Sequence, residues 1–258
     1  MTRTLAITLL WSAISGAQPG LAPPRLGCLL AETGSLRSML GLPGNFILGE
    51  VVESDVRSAA CSERFALVKL EDALELLDEQ ARLITRWSAP GGPALFALSA
   101  EGLPALVYFP QTSQWFRVAE KELRSVELEW PGRGVEVLAI AQRETDRLAA
   151  VVRKGDSLWF LKVSLDSRQV EEERELAGAT APVLLRQDGA LLFAAPGGLI
   201  VQTPDGAERR VPLPGPPAGL EQMGGGWIHV KLSEGKGRLG LRLFDDREEL
   251  YQLPEAPR

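Results

Sequence analysis

The stretch "GLIVQTPDGAERRVPLPGP" (198–216) decides the fold. An apolar segment leads into a polar turn, a second segment carries arginines, and Leu-Pro-Gly closes the unit. Asp205-Gly206 reads as a two-residue hairpin turn, because both positions tolerate positive φ. Pro212 and Pro214 reject a helix. "GCLLAETGSLRSMLGLPG" (27–44) has the same order of parts. If the two are one unit written twice, Leu-Pro-Gly marks an outer strand and its exit to the next unit.

The unit recurs. Leu42, Trp87, Trp130, Leu176, Leu213 and Leu253 each precede a Pro-Gly-like break. They stand roughly 40 residues apart, the length of a four-stranded propeller blade. Hairpins such as "LELLDEQARLITRW" and "LGLRLFDDREELYQL" lead into these landmarks. Val126, Leu128 and Trp130 are two apart, as are Leu36, Ser38, Leu40 and Leu42, which is strand periodicity with one buried face. Upstream lie unbroken apolar runs: "FALVKL" (65–70), "ALVYF" (105–109), "LAAVV" (148–152), "ALLFAA" (190–195) and "WIHVKL" (227–232). Such runs suit central strands covered on both faces. "SAAC", "LFALS", "VEVLAIA", "PVLLRQ" and "LEQMG" precede them and read as innermost strands.

The expected fold is therefore all-β, a propeller of five to six four-stranded blades over 27–258. The hairpin at 27–44, with or without "FILGEVV" (46–52), is a partial sixth blade; the sequence leaves open whether it completes the ring by pairing with C-terminal strands. An α/β fold is the alternative. "KLEDALELLDEQARLITRW" (69–87) places Leu70, Leu74, Leu77, Ala81 and Ile84 on one helical face, and "SRQVEEERELAG" (167–178) also looks helical. The repeat overrides both, because equivalent positions elsewhere hold prolines and an Asp-Gly turn.

The chain has 258 residues, 45% of them hydrophobic, enough for one substantial core. Its net charge of −6 comes without a basic cluster, which argues against nucleic acid and against an anionic membrane surface as partners. "MTRTLAITLLWSAISGAQPG" opens with Arg3, a short apolar run from Leu5 to Ile14, and small residues up to Ala17. This predicts a signal peptide over 1–17, a linker over 18–26, and a periplasmic or secreted domain that spans no membrane after cleavage. Cys28 and Cys61 then remain. An exported chain with an even cysteine count invites a disulfide, and two free buried cysteines are the alternative.

On its period and hairpin pattern the chain resembles exported bacterial β-propeller repeat proteins, WD40-like in the broad sense, over 27–258. The Gly-His and Trp-Asp signature of true WD40 repeats is absent. The resemblance implies a scaffold and no defined reaction.

Chemistry-bearing residues are sparse. His229 is the single histidine, on one strand face with Trp227 and Lys231, and reads as a packed, hydrogen-bonded side chain. Two cysteines and one histidine at these spacings resemble no compact zinc site. "VEEERE" (170–175) reads as a solvated outer strand, with Glu171, Glu173 and Glu175 on one face and Glu172 and Arg174 on the other. Asp245-Asp246 falls at a turn and is too small a set for calcium. Gly224, Gly225 and Gly226 lead into a strand rather than a helix, so they connect strands and cradle no phosphate. Trp87, Trp115, Trp130, Trp159 and Trp227 suit packing between blades. No residue is assigned as catalytic, cofactor-binding or metal-binding. The expected function is a non-enzymatic scaffold that binds a protein or glycan through its loops. The alternative is a metal-dependent hydrolase or lactonase at the channel mouth, with Glu136 or Glu221 supplied by innermost strands.

Overall fold

The computed structural model describes residues 23–99, 101–128, 130–132, 134–233, 237–244 and 247–255. The expected signal peptide, most of the linker and the Asp245-Asp246 pair lie outside them. The described residues form six antiparallel sheets in a ring, a six-bladed β-propeller. Blade 1 has three strands, β1 (Arg25–Leu30), β2 (Leu36–Leu42) and β3 (Asn45–Glu53). The other blades have four. Blade 2 is β4 (Ser58–Cys61), β5 (Phe65–Lys69), β6 (Ala73–Asp78) and β7 (Leu83–Ser88). Blade 3 is β8 (Leu95–Ser99), β9 (Gly102–Phe109), β10 (Gln114–Ala119) and β11 (Glu122–Val126). Blade 4 is β12 (Glu136–Glu144), β13 (Arg147–Lys154), β14 (Ser157–Ser164) and β15 (Val170–Glu175). Blade 5 is β16 (Thr180–Leu185), β17 (Leu191–Ala195), β18 (Gly198–Gln202) and β19 (Glu208–Pro212). Blade 6 is β20 (Pro217–Gly224), β21 (Trp227–Leu232), β22 (Arg238–Leu243) and β23 (Glu248–Gln252).

Each blade runs outward from the channel, and each seam between blades has its own apolar cluster. Leu106, Trp115, Ile140 and Val152 join blades 3 and 4; Phe160, Val151, Val183 and Phe193 join blades 4 and 5. Leu199, Val201, Ile228 and Leu241 join blades 5 and 6, and Leu74, Leu76, Val107 and Phe109 join blades 2 and 3. The central strands are buried on both sheet faces, which is why their sequences are unbroken apolar runs. Lys69 ends one such strand with its stem fully buried. Its ammonium turns back to the carbonyls of Leu70 and Glu71.

The segment 69–87 forms two strands and a tight turn, not a helix. Asp78 accepts hydrogen bonds from the backbone N–H of Gln80 and Arg82 through Oδ1, both at 2.9 Å, and Ala81 takes a φ of 64°. This side-chain-to-backbone competition stops helix propagation where periodicity alone would carry it on. The Asp205-Gly206 turn is wider than expected. Gly206 N–H donates to Thr203 O, and Thr203 N–H to Ala207 O, both at 2.9 Å. Only Gly206 has positive φ. Pro204, second in that turn, favours a type I geometry followed by a left-handed glycine.

Leu-Pro-Gly does not mean the same thing at both ends of the chain. At 213–215 it follows β19, the outermost strand of blade 5, and leads to blade 6. At 42–44 it is the turn from β2, the middle strand of blade 1, to β3, the outer one. The expected equivalence fails because blade 1 has three strands, not four, among the described residues. An odd strand number also reverses polarity: a chain crossing three antiparallel strands leaves from the face opposite to the one it entered. So β1 lies in the channel wall antiparallel to β4 and β20. Its start meets the ends of those strands, where Gly224 Cα, Gly27 and Cys61 O crowd together. Val56 N–H, just before β4, reaches Gly34 O past the end of β1 at 2.8 Å.

Among the described residues the ring closes without strand exchange. Every strand of blade 1 comes from the N-terminal side and every strand of blade 6 from the C-terminal side. The seam holds Leu29 and Met39 against Met223, Trp227 and Leu253. Phe46 stands edge-on to Trp227 at 5.2 Å and to Tyr251 at 5.8 Å. Gly27, at φ 150°, is required there: a Cβ would overlap the Met223 carbonyl. On the other side of blade 1, Cys28 and Cys61 form a disulfide with a Cα–Cα distance of 6.2 Å. The outer edge of β3 is protected differently from those of β15 and β19. Charged side chains line the outermost strands β15 and β19, whereas β3 is broken by two register shifts against β2.

Candidate functional site

Call the lower face the one where β4, β8, β12, β16 and β20 begin, and the upper face the one where they end. The channel between is a cavity of about 290 Å³. Its wall is mostly apolar, with Ala60, Ala97, Leu98, Ile140, Leu184 and Met223 among the lining residues. Adjacent residues of the innermost strands, such as Ala97 and Leu98, both line it, which explains the short apolar runs read from the sequence. Gln187, past the end of β16, donates its amide to the carbonyls of Leu98 and Ser99, both at 2.9 Å. Blades 3 and 5 are thus bridged across the channel at the upper mouth.

Glu221 is the one carboxylate among the described residues lining this cavity. It sits in β20 directly opposite His229 in β21. His229 Nδ1–H donates to Glu221 Oε2 at 3.2 Å, and Lys231 Nζ donates to Oε1. The carboxylate assigns the proton to Nδ1, since it can only accept. His229 is fully buried, and its Nε2 has no partner among the described residues. Burial pushes the imidazole below its ordinary pKa; the bond to Glu221 opposes this without reversing it. Burial would raise the Glu221 carboxyl, but the hydrogen bond from His229 and the Lys231 charge outweigh it and hold the group below its usual range.

Both shifts destabilise the fold in acid. Folded His229 is neutral, whereas the unfolded chain takes up a proton near pH 6.5. Stability present above that pH is lost as pH falls through it, and Glu221 adds a further loss as its own unfolded pKa near 4.5 is passed. The melting temperature is expected to drop between pH 7 and pH 5, and His229→Gln to flatten that part of the profile. A wild-type profile already flat over this interval would rule out a neutral, buried His229.

Glu136, the other carboxylate considered from sequence, does not line the channel. It lies exposed at the start of β12, with Arg153 Nη1 2.8 Å away. Among the described residues, no three His, Cys, Asp or Glu side chains group as metal ligands would. No described helix is long and apolar enough to cross a membrane. Trp115 and Trp227 are buried in seams, and Trp115 Nε1–H donates to Trp130 O at 3.0 Å. Trp87 and Trp159 are half-buried at seam margins.

A second cavity, about 410 Å³, opens on the upper face between blades 4 and 5. No sequence motif pointed to it. Two register shifts flank it, one in the innermost strand of blade 4 and one in the outermost. One leaves Arg143 unpaired between Gln142 and Glu144 in β12. The other leaves Glu171 without a ladder partner between Val170 and Glu172 in β15. A bulge turns a side chain out of its alternation, so Glu171 lines the cavity beside Glu172 instead of following Glu173 and Glu175. Glu173 pairs with Lys154, and Glu175 accepts from Ser157 Oγ at 2.6 Å.

No family model matches the chain, and no curated protein matches it. Among solved structures it is similar to a chain of the nidogen/laminin complex, at 11% identity over 89% of this chain and 93% of that one, with a TM-score of 0.61. It is similar to the Neurospora crassa Pan2 WD40 domain, at 10% identity over 90% and 79%, TM-score 0.53. A catalytically inactive virginiamycin B lyase from Staphylococcus aureus is matched at 13% identity over 91% and 86%, TM-score 0.50. At such identities the likeness shows the propeller fold alone.

Proposed function

We propose that this protein is an exported, non-enzymatic propeller that binds a protein partner through the loops of one face. The channel carries this reading. It is where a propeller would gather reacting groups from several blades, yet its described wall is mostly apolar, Gln187 crosses its mouth, and Glu221 is held by Lys231 and His229. Six packed seams make the blades rigid, while the turns at their ends are free to vary, which is the division of labour a binding scaffold needs. The nidogen/laminin chain, of like fold, is one propeller found in a protein complex. A glycan would want open aromatic faces; Trp115 and Trp227 are buried, and Lys154 lies 5.2 Å over the Trp159 ring. The apolar, Arg3-led N-terminus and a disulfide that persists in oxidising compartments both support export.

Photoreactive residues placed in living cells at Ala207, on the upper face, and Asp156, on the lower, test the reading. Protein adducts are expected from one face only, and excess purified protein should compete them away. Adducts from neither face, or equally from both, would contradict it. Turnover of a lactone or ester panel that is lost in Glu221→Gln would favour the hydrolase instead.

A further inference from the structure

We propose that the upper-face cavity between blades 4 and 5 is the docking groove, and that it takes an acidic peptide segment of the protein partner. This rests on the binding role just proposed and names the chemistry of what is bound. Five cations face the groove: Arg143, Arg147, Lys162, Arg174 and Arg186. Three carboxylates share it, Glu144, Glu171 and Glu172. In a chain of net charge −6, this local surplus of positive charge runs against the whole.

Two of the cations have donors to spare. Arg143 is exposed and, among the described residues, makes no ion pair or hydrogen bond. Its bulge carries it across the seam, so that its Nη1 lies over Gly189 in the turn after β16, where a side chain would stand 3.6 Å away. Arg186 bonds Asp188 at 2.7 Å through Nη2, while its Nη1 is buried with no partner among the described residues. A buried guanidinium nitrogen left unpaired is costly unless an acceptor arrives. A carboxylate, bonded by two parallel N–H donors, fits such a fork.

The remaining cations are already engaged. Arg147 pairs with Glu144 at 3.0 Å and Glu171 at 3.4 Å, and Lys162 pairs with Glu172. Arg174 lies 4.9 Å over the Phe160 ring and donates to Gln202 at 2.8 Å. Phe160, Leu148, Leu191 and Pro204 give the groove an apolar floor and rim. Its three glutamates would repel a dense polyanion such as a sulfated glycan or nucleic acid. A peptide with a few spaced carboxylates between apolar side chains satisfies the free guanidinium donors and the floor together.

The test uses the full folded protein and a fluorescein-labelled octapeptide of alternating aspartate and leucine, followed by anisotropy. The matching asparagine–leucine peptide, succinate and a heparin tetrasaccharide are the comparison arms. Saturable binding of the acidic peptide, weakened by salt, is expected. Arg143→Glu should weaken it about tenfold or more, the worth of a charge-assisted pair. Arg143→Lys should fall between that variant and wild type, because charge is kept and the fork is lost. Both variants should melt like wild type, since Arg143 holds nothing in place. The proposal is overturned if the asparagine peptide or succinate binds as well, if the tetrasaccharide binds more tightly, or if Arg143→Glu has no effect. Those results leave the face-specific cross-links untouched, so this proposal can fail while the binding role stands.

Discussion

Trp227→Ala is expected to destabilise the protein by about 3–5 kcal/mol and lower its melting temperature by roughly 10 °C. Trp227 is 1% exposed and fills the seam between the first and last blades. Phe46 and Tyr251 pack around it at 5.2 and 5.9 Å, and the Arg242 guanidinium lies 5.6 Å from its ring. In five seams the chain itself runs from one blade to the next. This seam has no such link, and among the described residues no strand crosses it. Losing its largest side chain should therefore let the ring open locally, so amide exchange should rise first in β1 and β23. Trp115→Ala is the control: it removes a similar volume from the seam between blades 3 and 4, which the chain spans. If Trp227→Ala raises exchange evenly over all blades, or no more at the closure than Trp115→Ala does, packing is not what shuts the ring.

That closure marks the boundary of what sequence reading reached. Central strands such as Leu191–Ala195 and Trp227–Leu232 were legible because burial on both faces demands unbroken apolar runs. Outer strands were harder. Val170–Glu175 is polar enough to pass for a helix surface, and only its place in the repeat identified it. Blade 1 misled because Leu-Pro-Gly can end a blade or turn a hairpin, and strand number is a property of the sheet. The groove was invisible for a related reason. Arg143 and Glu171 face it because β12 and β15 each slip by a residue against a neighbour, and neither strand alone encodes the slip. The polar stretch "QRETDR" (142–147), which joins β12 to β13, was the one available hint, since it crowds two arginines at strand ends.

Blade 1 is held between a noncovalent seam on one side and a covalent one on the other, which sets the expected result for the disulfide. Cys28 and Cys61 are 33 residues apart, so the bond closes a loop of that order in the unfolded chain. Loop-closure entropy puts its contribution at about 3–4 kcal/mol. Cys28→Ser combined with Cys61→Ser should lower the melting temperature by roughly 10 °C, and a thiol reductant should do the same to wild type. The seam still keeps Leu36, Val56, Ala66, Val68 and Leu77, so the ring should form without the bond. Reducing wild type and finding a melting temperature within a degree or two of the oxidised form would remove the bond from the account of stability. The stronger test is combination with Trp227→Ala. Both changes loosen the same three-stranded blade, one on each side, so their costs should not add as those of distant sites do. Once either seam has let blade 1 detach, the other has less left to hold, and the combined loss should fall short of the sum. Additive losses would mean that blade 1 stays docked through either seam alone, and that the ring has two independent locks rather than one shared blade.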